Sequence, residues 1–518
     1  MHFFFFRRPI GDVIDPRHPA REVFRMKKRK LRVGVIAAAG KGTRAYPRTS
    51  FIPKPMFRFQ ERTILEKNAE IQFKVLGVRK LYVIVGHLAE IVVEEVEAIR
   101  AKYPDREIEA VPWTQNGLAS DVAQLRDRID EDFALILGDE FYHETDHAGL
   151  KKTWSAKSKA AALIAVWKTD LVSHIRKNYS VELKGDKVLK LIEKPRNPPN
   201  NLAGLGTYIF SADFFDFFDR TEPSKRSGVV ELTDVIDVMA RETGEVFARD
   251  VGGLYFNINS LADYYAVNYF LRSQSFSKNR VSLVVPSFNN AATLPDVLND
   301  FKDVAHEIIV VDMGSEDGTA EAAAKIASKR RGAMRVIREE SGPAGPFQAR
   351  AIYAAMEECK GDLIVLTMAD GSFRAHDLPK LMEYVKDCDM AVGTRTTRQM
   401  IEQGSNLRPL YRWLNVFLGK LVEVLWWGRE PRFTDIGCIY RAVWKDAFVR
   451  MADDLKAEDK TFSLEMMIEM MRYHMRCIEI PVSYYQAYDV TAGPSKGELW
   501  RYFFSTLRMI VTRRLRKG

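Results

Sequence analysis

Cysteine is scarce, with four residues in 518 (Cys359, Cys388, Cys438 and Cys477), all in the second half and none in a CxxC pair. That spacing excludes a disulfide-stapled secreted scaffold, offers no zinc site and points to a reducing cytosol. Long apolar runs are missing too: no stretch reaches the roughly 18 uninterrupted apolar residues of a spanning helix. The amino terminus, MHFFFFRRPIGD, has an apolar run too short for a signal-peptide core, and its charges follow the run instead of preceding it. A cytoplasmic location is expected from these absences. There is no low-complexity tract and no sequence repeat. The formal net charge of +9 is a modest excess for this length, and neither half carries a basic stripe with interleaved aromatics, so a nucleic-acid partner is not expected.

What is present is the make-up of a globular protein, 46% hydrophobic and 28% charged, long enough for more than one core. Basic residues crowd the ends: Arg25, Lys27, Lys28, Arg29 and Lys30 at one, Arg513, Arg514, Arg516 and Lys517 at the other. Two buried-strand openings, VGVIAA (Val33 to Ala38) and VSLVVP (Val281 to Pro286), each begin a run of alternating strands and helices. The spacing predicts an α/β fold of two Rossmann-like nucleotide-binding domains with mostly parallel central sheets. Residues 1–30 read as a basic, poorly ordered extension, 31–272 as the first domain, 280–495 as the second and 496–518 as a basic amphipathic tail. The polar stretch LRSQSFSKNR (Leu271 to Arg280) reads as the joint.

Directly after the first strand comes AAAGKGTRAYPRTSFIPKPM. Gly40 and Gly42 let the backbone turn tightly and expose N–H groups to an anion, and Arg44 and Lys54 add positive charge where a triphosphate would lie. A glycine pair alone is often only a turn; the whole spacing is the signal. The run resembles the GxGTRxxPxTxxxxKP signature of the sugar-phosphate nucleotidyltransferases, and the likeness continues to about residue 270. It implies in-line attack of a sugar-1-phosphate oxygen on the α-phosphorus of a nucleoside triphosphate, with a nucleotide-sugar as product and pyrophosphate leaving. Carried onto this chain, it puts Ala39, Gly40, Gly42, Thr43 and Gly117 at the nucleotide, Arg44 and Lys54 at the reacting phosphates, and Glu193 and Lys194 of IEKP at the sugar phosphate. Asp139 of LGDEFY would hold Mg²⁺ (or Mn²⁺). ELTD (Glu231 to Asp234) falls at a family helix start. There are two departures. Asn257 stands where the family usually has a second metal-binding aspartate, so the ligand brings no charge. Gln115 is closer to Gly117 than the family's base-reading glutamine, which leaves the base unread. His143 and His147 have helix-like metal-ligand spacing, but the reading preferred is solvated polar residues on a loop beside Asp139.

In the second half, VVPSFNNAATL, IIVVDMGSEDGT and GDLIVLTMADGS resemble the opening of family-2 glycosyltransferases of the GT-A fold, the polyprenyl-phosphate sugar synthases among them. The likeness implies that Asp312 contacts the nucleoside and that Asp370, matching the last acid of a DxD element, holds a divalent cation on the sugar-nucleotide. Arg395 of VGTRTTRQ, with Ser495 and Lys496 of GPSK, would hold phosphates. Asp435, Arg441 and Glu465 fall in further matching segments. Met313 and Met368 replace acids usual in the family, and Asn290 replaces a common Glu, so the expected metal site loses charge.

Two stretches suggest contact with a membrane surface. LYRWLNVFLGKLVEVLWWGR carries Leu410, Leu414, Leu418, Leu421 and Leu425 at helical spacing, with Trp413, Trp426 and Trp427 alongside. LWRYFFSTLRMIVTRRLRKG carries Trp500, Phe503, Phe504, Leu507 and Val511 on one stripe with arginines beyond it. Basic amphipathic helices with aromatic anchors suit the inner face of an anionic membrane, while the same spacing also fits helices packed on a sheet. The leading expectation is a bifunctional enzyme that makes a nucleotide-sugar and transfers the sugar to a lipid-phosphate acceptor, which arrives ionised and needs no general base. The alternatives are a glycan or protein acceptor, or a second domain that is a silent binding and membrane-docking module.

Overall fold

Val33–Ala38 lies inside a nine-stranded sheet because its run of small and β-branched residues is buried on both faces. Glu107–Pro112, Lys80–Val85, Val33–Ala38 and Phe133–Leu137 are parallel neighbours in that order. Leu202–Phe210 then runs antiparallel to Phe133–Leu137, and Ala162–Lys168, Val246–Asp250, Lys187–Glu193 and Tyr179–Lys184 complete a mixed half. Leu202–Phe210 shifts register between Gly204 and Tyr208, and a Cβ on Gly204 would fall within the Tyr179 ring, 1.9 Å from its Cε2. Only glycine permits that approach. Helix Leu232–Thr243 starts immediately after Glu231, at the ELTD segment.

The second sheet has seven strands. Met334–Arg338, Glu307–Asp312, Val281–Ser287 and Leu363–Leu366 are parallel in that order, and Arg441–Trp444, Met390–Thr394 and Cys477–Pro481 follow with mixed direction. In both sheets four neighbouring strands form a parallel block, with one further parallel pair in the mixed part, and the phosphate-loop and Asp motifs fall at the carboxyl ends of the block. The two sheets are layered with helices into Rossmann-like α/β domains. The computed structural model describes residues 29–46, 48–59, 62–330, 332–339, 349–397, 409–427, 432–485 and 495–515.

Residues 1–28 of the expected extension lie outside the described residues. Arg29 is already fastened: its guanidinium pairs with Asp132 at 2.7 and 2.8 Å and lies 3.9 Å from the Trp154 ring centroid. The stretch read as a joint is helical through most of its length. Helix Leu261–Ser275 opens with a capping box between Ser260 and Asp263 and runs into the 3-10 turn Phe276–Lys278. That helix touches the second domain through Arg272, bonded to Asp389 at 2.8 Å, and through Tyr269, which donates to Glu383 at 2.9 Å. A cavity of about 1180 Å³ lies along this junction, walled by Arg48, Phe57 and Tyr264 on one side and Trp444, Lys445 and His474 on the other.

Helices Pro409–Leu425 and Lys496–Leu515 pack together beside the second sheet. Each does both things its sequence allowed. Leu418, Val422, Trp426, Leu499 and Ile510 are buried, whereas Trp413, Phe417, Val424, Trp427, Trp500, Phe504 and Leu515 are more than half exposed. Among the described residues no helix is long and apolar enough to cross a membrane. The four cysteines are free, with Cys359, Cys388 and Cys438 buried.

Candidate active sites

In the first domain a cleft of about 420 Å³ opens at the carboxyl ends of Val33–Ala38 and Phe133–Leu137, where open α/β sheets bind ligands. Ala39, Gly40, Gly42, Lys54, Gly117 and Asp139 all line it. Gly42 has φ 61°, and a Cβ there would sit 3.1 Å from Lys54 Cγ, so this turn needs glycine both for its backbone and for its space. The Lys54 side chain is only 6% exposed, and its Nζ stands 3.1 Å from Asp139 Oδ2. A buried ammonium over a carboxylate at a strand end is a preset charge pair facing the cleft. Thr43 and Arg44 are exposed on the 3-10 turn Thr43–Ala45 just beyond Gly42.

The opposite wall is Trp113, Gln115, Leu118 and Asp121. Gln115 (φ 66°) and Gly117 (φ 94°) both have left-handed backbone, which places Gln115 on the cleft despite its short spacing to Gly117. Asp121 is buried and ties the turn, accepting from Thr114 N at 2.6 Å and Thr114 Oγ1 at 2.7 Å. Sequence reasoning passed over Trp113 and Asp121; the only signal was their place around the second glycine loop.

Asn257 comes close to Asp139 through the backbone: it pairs in register with Glu140, and Ile258 N donates to Asp139 O at 3.0 Å. Its Nδ2 donates to Asn178 at 2.9 Å, while its Oδ1 is buried and has no hydrogen bond. Such an orphaned amide oxygen, on a strand whose next residue bonds the Asp139 backbone, fits a hard cation that takes its remaining ligands from phosphates and water. Glu193 and Lys194 form a pair at 3.1 Å, with Arg226 3.8 Å from Glu193. The next acid after Asp139, Glu140, faces inward. Burial pushes its carboxyl up to about 7, and it accepts from Tyr142, from Tyr255 at 2.7 Å and from Gly206 N at 2.7 Å.

His147 corrects an expectation. It is buried at the start of helix His147–Ala156, edge-on to Tyr142 at 4.7 Å, and reaches Thr145 at 3.0 Å and Thr207 at 3.3 Å. It is a core histidine, held neutral because burial pushes it down to about 4, and not a solvated loop residue. Among the described residues no group of three or more His, Cys, Asp or Glu side chains has metal-binding geometry.

In the second domain Asp312 ends its strand fully buried, accepting from Ser315 Oγ, and Arg338 Nε lies 3.7 Å from its Oδ2. Asn289 laces this loop to the preceding one, donating from its N to Ser315 at 2.9 Å and accepting from Glu316 N at 3.0 Å. Asn290 closes the same turn, accepting from Phe288 N at 3.0 Å. Asp370 Oδ1 accepts from Ser372 N at 2.9 Å and Ser372 Oγ at 2.6 Å. Met313 is 3% exposed and part of the core, whereas Met368 is half-buried at its edge.

Three residues expected at phosphates or in matching segments are engaged elsewhere. Arg395 is buried in a bidentate pair with Asp435, at 2.8 and 2.9 Å, and stacks 5.0 Å from the Tyr484 ring centroid. The pair occupies the guanidinium Nε and Nη2 donors. Ser495 caps helix Lys496–Leu515 by exchanging bonds with Glu498. Arg441 is fully buried, donating to the Ser463 and Ile439 carbonyls at 3.1 and 3.3 Å. Arg398 and Gln399 of the VGTRTTRQ turn, residues 491–494 and the Lys496 side chain fall outside the described residues.

Comparison with known proteins gives the same division. The Nucleotidyl transferase family model matches residues 33–274, and that of Glycosyl transferase family 2 matches residues 282–444. UTP–glucose-1-phosphate uridylyltransferase AglF of Haloferax volcanii is 33% identical over 227 residues, covering 42% of this chain and 88% of that protein. The low-salt glycan biosynthesis nucleotidyltransferase Agl11 of the same organism is 29% identical over 251 residues, 48% of this chain and 68% of that one. A solved UDP-glucose pyrophosphorylase complexed with UDP-glucose is similar at 23% identity, with a TM-score of 0.42, over 47% of this chain and 99% of that one.

Proposed function

This chain belongs to the nucleotidyl transferase family through residues 33–274 and continues into a Glycosyl transferase family 2 domain over residues 282–444, and we propose that its first site joins UTP to glucose 1-phosphate. The observation that carries this is the buried Lys54 ammonium held 3.1 Å from Asp139 on the wall of the first cleft. In the reaction a sugar-phosphate oxygen forms a bond to the α-phosphorus, the α–β P–O bond breaks, and pyrophosphate leaves with the electron pair. The attacking oxygen arrives ionised, so the site needs position and positive charge more than a base. The backbone around Gly40 and Gly42 cradles the phosphates, Lys54 neutralises charge at the α-phosphoryl group, and Arg44 folds in from its exposed turn. Glu193 and Lys194 take the sugar-phosphate end, and Gln115 with Gly117 the base. Asp139 and Asn257 would hold Mg²⁺ (or Mn²⁺), which when bound supplies charge neutralisation on the triphosphate. UTP and glucose 1-phosphate are the first pair to try because AglF, which resembles this domain, is named for them.

The test is pyrophosphate release by the full chain with Mg²⁺ and a panel of nucleoside triphosphates and sugar 1-phosphates. Release is expected with UTP and glucose 1-phosphate, and its loss in Lys54→Met. No pyrophosphate from any pair overturns the assignment.

The second domain, in the same proposal, transfers the sugar to a polyprenyl phosphate at the inner membrane surface. Support comes from the aromatic faces of Pro409–Leu425 and Lys496–Leu515, exposed side by side. Asp312 meets the nucleoside. Asp370 offers a single carboxylate whose Oδ1 is already engaged by Ser372, a thin donor set for a cation. A second reading, a silent docking module, is favoured by Met313, whose side chain is in the core where the family has an acid. Adding polyprenyl phosphate in vesicles separates the two: lipid-linked sugar supports transfer, and pyrophosphate release without it supports the silent module.

A further inference from the structure

The phosphate loop of the first domain is gripped from outside that domain. Arg48 lies on the 3-10 turn Arg48–Ser50, between Gly42 and Lys54 of the cleft wall. Its Nη2 donates to the His474 carbonyl of the second domain at 2.7 Å. Its guanidinium lies 4.7 Å from the Tyr264 ring centroid and 5.3 Å from that of Phe57, and the Phe51 ring stands 5.7 Å from that of His474. The next residue, Thr49, is buried; its hydroxyl donates to the Gly42 carbonyl at 3.0 Å, and its carbonyl meets His87 Nε2 at 2.7 Å. Gly42 packs in turn on Thr49 and Lys54, with a Cβ there falling 3.0 Å from Thr49 Cγ2 and 3.1 Å from Lys54 Cγ. Lys54 ends 3.1 Å from Asp139. A contiguous path therefore runs from a backbone carbonyl of the second domain to the ammonium in the first cleft.

We propose that Arg48 is a positioning residue through which the docked second domain sets the phosphate loop, so that nucleotidyl transfer at the first site depends on the second domain being in place. This rests on the nucleotidyl-transfer reading above. A glycine turn held from one side loses less freedom when it closes on a triphosphate, and that saving appears mainly in KM for the nucleotide. Lysine at 48 keeps a charge and a donor but loses the planar stack on Tyr264 and Phe57.

The test measures pyrophosphate release by the full chain against nucleotide concentration for Arg48→Ala, Arg48→Lys, Thr49→Val and the Arg48→Ala/Thr49→Val double variant. Arg48→Ala should raise KM for the nucleotide about five- to tenfold, with kcat within about twofold, and Arg48→Lys should recover part of the loss. Because the contacts are in series, the double variant should match the larger single effect, not the product of the two. Tyr269→Phe, which removes a domain contact away from the loop, should leave KM unchanged. Wild-type KM in Arg48→Ala, or a double variant equal to the product, overturns the inference. If Arg48→Ala fails to fold, Arg48→Lys and Thr49→Val report on the same path. A wild-type chain that releases no pyrophosphate marks failure of the underlying reading, which the active-wild-type outcomes do not.

Discussion

Met313 and Met368 both stand where acids are usual, yet their surroundings make them unlike. Met313 is 3% exposed among core side chains, while Met368 is half-buried at the core's edge. Met313→Asp would bury a carboxylate without a partner and should cost about 3 kcal/mol or more, read as a lowered Tm, with no gain in sugar transfer. Met368→Asp should lower Tm less. His147 gives a residue-scale pH dependence. Burial pushes it down to about 4 from the ordinary 6.5, so the unfolded chain takes up a proton that the folded one refuses. Its stabilising contribution is full above pH 6.5 and is lost as pH falls from there through about 4, on the order of 3 kcal/mol. Thermal unfolding across that range should show the slope in the wild type and a flatter one in His147→Gln; identical slopes would remove His147 as the cause. Lys54 and Asp139 were legible in the sequence because a fixed spacing after a strand constrains both. The burial of His147 was not, since a histidine beside a loop acid reads the same whether its ring turns out or in.

At the scale of elements, the carboxyl-terminal helix shows what periodicity leaves open. Its aromatic residues and terminal arginines read together as a membrane face, but the helix has two apolar sides. Leu499, Thr506 and Ile510 turn to the core, and Arg513 goes with them, bonded to Glu465 and, at 2.9 Å, to Glu469. So one arginine counted as a lipid contact is an internal one. Arg513→Ala leaves both acids buried without that partner and should destabilise the second domain by about 3–5 kcal/mol. Trp500 and Phe504 remain outward, 52% and 60% exposed. Replacing both by Ser should leave Tm unchanged and weaken cosedimentation with anionic vesicles severalfold. A Tm drop equal to that of Arg513→Ala would show the aromatic side to be core, and the membrane reading would fall. The parallel strand blocks, by contrast, were legible from their β-branched runs, while the mixed strands beside them depend on pairings between segments far apart in the chain.

For the whole molecule, the decisive feature is that a stretch read as a polar joint is the end of a helix built into a domain contact. Arg272 bonds Asp389 at 2.8 Å and the Cys388 carbonyl at 2.6 Å, and Arg476 stacks 3.8 Å from the Tyr265 ring centroid. Asp389 is pushed up by burial, yet the Arg272 charge and the Arg476 N–H outweigh that and hold its carboxyl below the usual range. Its contribution is therefore present above about pH 4 and lost only as pH falls through the lower folded value, so the contact is intact at neutral pH. The stretch read as a polar joint because Arg272 finds its partners more than 100 residues away, which no local pattern reveals. A contact of this kind couples the melting of two domains that each have their own sheet and core. Calorimetry at neutral pH should show overlapping transitions in the wild type. In Arg272→Ala the buried Asp389 keeps the Arg476 N–H but loses its charge partner, which should weaken the contact by about 3 kcal/mol, and the transitions should separate. Arg48→Ala should shift nucleotide KM while leaving the transitions joined, because the Arg272 contact remains. If Arg272→Ala melts as the wild type does, the domains are held by contacts other than the Arg272–Asp389 pair.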